Sequence, residues 1–258
     1  MRRLLGAFTA LVLAMLYAPT VVMAVFSFND SRYAVRWVGF TTKWYEKLRE
    51  NHQIWGAFKN TLLISAGSAV LAVVLGTLAA LAMRHAFRGK RAFATLVSLP
   101  IMVPDIVLAV SILAMVYAVG ARPSLATAII ANATFNLSYV AIVVAARLEG
   151  LDRSAELAAM DLGATPSRAF WSVTLPAILP GVVSGAILAF TMSFDDFVIT
   201  YFTTGPGDTP LAVRIYSMMR GDVTPEINAV SVVILAVSLV LVVAALAIAG
   251  PRVGEEKR

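Results

Sequence analysis

Residues 151–181 read LDRSAELAAMDLGATPSRAFWSVTLPAILPG, and this stretch decides what kind of chain surrounds it. Two short helices are legible in it. Asp152 or Ser154 can cap the first, which runs through AELAAMDL, and Gly163 stands at the C′ position, where a left-handed backbone ends a helix. Thr165 is placed as N-cap of the second, with Pro166 at N1, where the missing N–H of proline is harmless. Neither helix is long and apolar enough to cross a bilayer. Apolar runs flank both, Ser124 to Ala146 before and Leu179 to Thr203 after. The stretch is therefore a helical connection between two spans.

The rest of the chain agrees. Of its 258 residues 59% are hydrophobic and only 14% charged, and the mean hydropathy is +0.82. Soluble domains hold roughly 45–50% apolar residues. A spanning helix needs about 20 mostly apolar residues, and six runs qualify: Leu4 to Phe28, Thr61 to Met83, Ala92 to Ala118, Ser124 to Ala146, Leu179 to Thr203 and Ile227 to Gly250. The first is too long for the apolar region of a cleaved signal peptide. The expected fold class is all-α, a polytopic membrane protein of six transmembrane helices. No repeat or linker divides it, so 1–258 is read as one domain, with 147–178 as a connection inside it.

Lys and Arg of short loops mark the cytoplasmic side. Arg2 and Arg3, the run RHAFRGKR (84–91), Arg147, Arg153 and Arg168, and Arg252, Lys257 and Arg258 share one side if the N-terminus is inside. Both termini are then cytoplasmic. The net charge of +6 is spread over these loops, which argues for membrane orientation and against nucleic acid as a partner. With no cysteine there is no thiol chemistry, and His52 and His85 stand in separate connections, so no metal site is expected.

The sequence AAMDLGA (158–164), followed by LPAILPG (175–181), resembles the EAA loop of permease subunits of binding-protein-dependent ABC importers. SFNDSRYAVRWVGFTTKWYEKL (27–48), FRGK (87–90), VPDIV (103–107), SFDDFVITYFTTGPG (193–207) and VTPEINA (223–229) lie in the order and between the spans found in the PotC-type spermidine/putrescine permeases. The resemblance implies a MetI-like type I permease fold in which the loop forms a coupling helix docking on a cytoplasmic ATPase. It puts Glu156, Ala158, Ala159, Asp161 and Gly163 at that contact. Leu157 replaces the usual glutamate, and Glu156 matches the first acid where such loops read Glu-Glu-Ala-Ala. It also implies a PotA-like ATPase dimer, a PotB-like second permease and a PotD-like extracytoplasmic polyamine-binding protein, in addition to membrane lipid.

An acid inside an apolar span costs about 2.5–3.5 kcal/mol on insertion scales and is a functional candidate by default. Asp105 follows Pro104 near the middle of the third run. Asp195 and Asp196 end the fifth, with no Lys or Arg between Leu179 and Thr204. On a continuous helix Ser193, Asp196 and Thr200 share one face, and Thr191, Asp195 and Ile199 another. The substrate path is assigned to Trp44, Asp105, Ser193, Asp195 and Asp196. Carboxylates and nearby aromatic rings suit a polycation; a membrane-interface cap is the structural alternative for the acid pair.

No GxxxxGK[ST] run is present, so ATP and magnesium are expected on the partner ATPase, with no cofactor and no catalysis in this chain. The rival readings are an ABC permease for ferric iron, thiamine or an opine, and an ion-coupled secondary transporter in which Asp105 and Asp196 titrate protons. The latter lacks the expected duplicated halves. No hydrolase signature appears.

Overall fold

The computed structural model describes residues 2–31, 36–220 and 224–249. Apart from one isolated bridge between Asn29 and Phe40, the described structure is helical. In chain order the helices are α1 (Arg2–Phe26), α2 (Lys43–Glu50), α3 (His52–Arg84), α4 (Lys90–Met102), α5 (Asp105–Ala118), α6 (Leu125–Glu149), α7 (Ser154–Asp161) and α8 (Pro166–Ala169). A π-helical turn (Phe170–Thr174), α9 (Leu175–Phe194), α10 (Val198–Thr203), α11 (Leu211–Met219) and α12 (Pro225–Ala249) complete it.

Among the described residues, four helical stretches are long and apolar enough to cross a membrane: Leu4–Phe26, His52–Arg84, Leu125–Glu149 and Pro166–Phe194. The third expected span forms as the pair α4 and α5, bent by 108°. Pro104 sets the break, because its ring disfavours helical backbone at the residue before it, and Val103 is extended (φ −88°, ψ 133°). The sixth expected span lies within α12, Pro225–Ala249. The fifth requires a correction. It was expected at Leu179 to Thr203 but lies at Pro166–Phe194, so the acid pair follows the helix instead of riding on it. Pro176 and Pro180 lie in the first turns of α9. The π-helical turn directly before Pro176 absorbs the lost i→i−4 bonding, and Arg147 Nε donates to the Ala177 carbonyl at 3.3 Å.

The described chain resolves into two compact units, one within Met1–Gly56 and Arg214–Leu246, the other centred on Ala57–Val213. In the first, Asn29 is fully buried and organises the segment after α1. Its side-chain amide donates to the Arg36 carbonyl (2.7 Å) and accepts from Val38 N–H (2.9 Å). Phe28 lies between Phe40 and Tyr45, with ring centroids 5.3 and 5.0 Å away. Glu226, in the first turn of α12, is buried and accepts from Lys47 Nζ (2.5 Å) and from the Asn51 amide (3.3 Å).

The second unit is built around α6. A Cβ on Gly76 of α3 would stand 2.8 Å from Val140 Cβ and 2.9 Å from the Leu137 carbonyl. One on Gly185 of α9 would stand 3.2 Å from Val140 Cγ1, and one on Gly181 would stand 2.9 Å from Arg147 Cβ. Gly181 and Gly185 are a GxxxG pair, and close backbone approach through small residues is how helices associate where lipid removes the hydrophobic drive. The series continues at four-residue steps through Ala189, whose carbonyl accepts from the Asn136 amide (3.2 Å), to Ser193. Ala69, Ala72, Val140, Val144, Ile178 and Ala189 form the core of this contact.

Candidate functional site

Two helix breaks lie in the second unit. At the first, Asp105 opens α5 as its first residue, exposed to the surroundings, with no ion pair among the described residues. The amino end of a helix favours a carboxylate there. At the second, α9 stops at Phe194 and Asp195 occupies its C-cap, also exposed. Asp196 behaves differently. One carboxylate oxygen accepts from Ile199 N–H (3.2 Å), the other from Thr200 N–H (2.8 Å). Asp196 thus satisfies the free amides that begin α10. Thr200 Oγ1 donates back to its carbonyl at 2.9 Å.

The shared faces expected for a continuous helix therefore do not form. Ser193 is 2% exposed and accepts from Ser68 Oγ at 2.9 Å, so the structure places it inside the contact between α3 and α9. The two breaks are joined by one apolar cluster. Leu108, a turn beyond Asp105, and Met192 and Val198, on either side of the acid pair, pack with Ala109, Phe135 and Ile199. Neighbouring aromatics mostly satisfy one another: Phe190 stacks on Phe194 at 6.0 Å, Phe197 lies 5.3 Å from Tyr201, and Phe202 is edge-on to Tyr201 at 5.3 Å.

Beyond α10 the chain is tied to the start of α6. The Thr203 carbonyl accepts from Ser124 N–H (3.2 Å) and Thr127 Oγ1 (2.7 Å), and the Asp208 carboxylate accepts from Leu125 N–H (2.8 Å). Gly205 has no alternative here, since a Cβ would meet the Pro123 carbonyl oxygen at 2.2 Å. Asp208 was not singled out in the sequence; its position two residues before Pro210 reads as a turn acid, and only the fold shows what it caps.

The connection contains the expected pair of short helices. The Asp152 carboxylate accepts from Ser154 N–H (2.9 Å) and Ser154 Oγ (2.6 Å), and these bonds hold its carboxyl below the usual range. Gly163 has φ +93°. Its N–H donates to the Met160 carbonyl (2.9 Å) and that of Ala164 to Ala159 (3.0 Å), which is the Schellman pattern. Thr165 caps α8 through Arg168 N–H at 3.3 Å, with Pro166 first in the helix. No residue of α7 is buried. Ala158, Asp161 and Gly163 are exposed, Ala159 is half-buried, and Leu157, Met160 and Leu162 add exposed apolar surface. Glu156 accepts from Arg84 Nη1 at 2.8 Å.

Trp44 lies in the first unit. It is 9% exposed, donates its indole N–H to the Asn29 carbonyl (2.8 Å), and carries Lys43 and Lys47 over its ring at 5.0 and 5.8 Å. Lys43 pairs with Asp30.

This helical fold, with a broken span and an unburied short helix between two spans, is that of MetI-like ABC importer permeases. The overall structure agrees with solved examples. A bacterial ABC transporter that imports the polysaccharide alginate superposes with a TM-score of 0.77 at 19% identity, covering 95% of this chain and 94% of that one. The MetNI methionine transporter gives 0.61 at 19% identity, covering 81% and 98%. The chain belongs to the family of binding-protein-dependent transport system inner membrane components, which its residues 72–253 match. It is a multi-pass inner-membrane protein and a transport component of that family. Among its relatives, the putrescine transport system permease protein PotI of Escherichia coli K12 is 42% identical over 228 residues, spanning 85% of this chain and 81% of that protein. The spermidine/putrescine transport system permease protein PotC of the same strain is 39% identical over 249 residues, spanning 96% and 94%. PotC of Haemophilus influenzae is 40% identical over 239 residues.

Proposed function

We propose that this chain is the permease subunit that carries polyamines in an ATP-driven importer, with Asp105 and Asp195 as the carboxylates that meet the substrate. The observation that carries the reading is Asp195. It is exposed at the end of a span and makes no ion pair among the described residues, while its neighbour is committed to capping α10. A polycation arriving from a binding protein would supply the missing charge transiently, and near full-length likeness to PotC supports the substrate class. Asp196 then shapes the break, Ser193 packs α9 on α3, and Trp44 holds its own segment together.

The exposed face of α7 would dock on a PotA-like ATPase dimer, which binds ATP and magnesium. A PotB-like second permease would complete the path, and a PotD-like protein would deliver substrate from outside. Both termini would lie in the cytoplasm, the side that the Lys and Arg distribution favours. The test is uptake of labelled spermidine and putrescine by cells expressing the whole operon. Wild type is compared with Asp105→Asn, Asp195→Asn and Asp196→Asn, with the ATPase co-purified from each. Saturable uptake lost at 105 and 195 and kept at 196 supports the assignment. An assembled wild type that takes up neither amine overturns the substrate class, and uptake indifferent to Asp105 and Asp195 overturns the path.

A further inference from the structure

Glu156 lies on the helix that the proposed function turns toward the ATPase, yet its carboxylate points back into its own chain. It pairs with Arg84, the last residue of α3. The contact is reciprocal. While Arg84 Nη1 donates to Glu156 (2.8 Å), the Arg153 guanidinium donates to the Arg84 main-chain carbonyl at 3.0 Å. That carbonyl is one of those a helix leaves open at its carboxyl end, where cationic donors are also favoured by the helix dipole. The side chains of Arg84 and Glu156 are 12% and 31% exposed, so the pair is shielded more than the surface ion pairs that contribute little.

We infer that Arg84, Glu156 and Arg153 form a strut that makes the carboxyl end of α3 move with α7, so that displacement of the coupling helix reaches two spans and not one. The inference rests on the reading of α7 as the ATPase-docking helix. One route from α7 follows the chain, through the Gly163 turn and α8 into the π-helical turn that precedes α9. That route contains a left-handed glycine and a stretch of π-helix, both places where backbone can flex. The strut bypasses them. Two links between the same pair of helix ends, pointing in opposite directions, resist rotation; a single contact would act as a pivot. Glu156 is therefore a positioning residue for transport, acting through α3, in contrast to the direct ATPase contact expected from its place in the loop.

The experiment uses the complete importer, reconstituted in liposomes with its ATPase, second permease and binding protein, and reads labelled polyamine uptake per ATP hydrolysed. Glu156→Gln and Arg84→Gln are each expected to lower that ratio about tenfold, within the usual range of coupling between sites, while the ATPase co-purifies at wild-type stoichiometry. The exchange Arg84→Glu with Glu156→Arg is expected to recover much of the loss. Because the chain has no cysteine, Arg84→Cys with Glu156→Cys offers a second reading: uncoupled when unlinked, recoupled when bridged by a short bismaleimide. Loss of the ATPase on Glu156→Gln, an unchanged ratio, or failure of both the exchange and the bridge overturns the strut. A wild-type complex that does not retain the ATPase would instead overturn the docking reading itself.

Discussion

The two breaks of the second unit are made by opposite means. Between α4 and α5 the break is steric: Pro104 forces extended backbone at Val103, and Asp105 starts the next helix with its carboxylate exposed. Between α9 and α10 it is electrostatic: Asp196 turns its carboxylate onto the amides of Ile199 and Thr200 and starts a new helix. The second arrangement needs an acid to hold the shape, so a second acid, Asp195, is left free. Adjacent carboxylates thus divide between structure and exposure, and the proline break reaches the same end with a single acid.

The largest expected effect removes the platform on which both breaks rest. Gly185→Leu would drive a side chain into Val140, where even a Cβ stands at 3.2 Å. Overpacking of this kind costs about 1–3 kcal/mol or more, and the yield of monodisperse complex should collapse. Next comes the division of the acids. Asp195→Asn should cut polyamine uptake by roughly tenfold, the loss of about 1.4 kcal/mol of transition-state interaction, and leave the thermal midpoint of the purified complex in place. Asp196→Asn should leave uptake unchanged and lower the midpoint only slightly, because the amide oxygen still caps one of the two N–H groups. The opposite pattern would exchange the two roles. Asp196→Ala should lower stability by about 1 kcal/mol, the usual worth of an N-cap, read as a lower thermal midpoint than that of Asp196→Asn.

The smallest effect concerns Asp152, a carboxylate cap outside the apolar spans that serves as the reference for Asp196. Its carboxyl is held below the ordinary range by Ser154 Oγ first and Ser154 N–H second. A depressed folded-state pKa stabilises at pH values above the unfolded one, and the contribution is lost as pH falls through the folded value. The stability difference between wild type and Asp152→Ala should hence be small, constant from about pH 5 to 8, and closed only in acid below the ordinary carboxylate range. Chemical denaturation across pH would show this; a difference that changes near neutrality would mean that another group is involved.

Much of this was legible before any fold was known. The caps at Asp152 and Thr165 and the stop at Gly163 were readable because capping depends on residues within one turn of each other, and each forms a local hydrogen bond. The acid pair was noticed for its apolar surroundings, but the hydrogen bonds by which Asp196 alone caps α10 were not read from them. The displaced fifth span was not legible. Its first turns lie before the apolar run and include a π-helical turn, and Arg147 on another helix donates to the Ala177 carbonyl there. Ser193 was read on one face of a helix that ends one residue later.

Taken alone, the sequence determined that the chain lives in a membrane, which apolar runs are candidate spans, and that a helical connection with an EAA-like signature lies between two of them. Those properties follow from hydropathy and from interactions between residues close along the chain. Only the tertiary structure decided that Gly76, Gly181 and Gly185 close on α6, that Asp195 and Asp196 part ways, and that Glu156 answers Arg84 across 72 positions of sequence. Each of these is a choice of partner between distant segments. Periodicity and composition state what a helix can bury, and the packing of neighbouring helices fixes which atoms it meets.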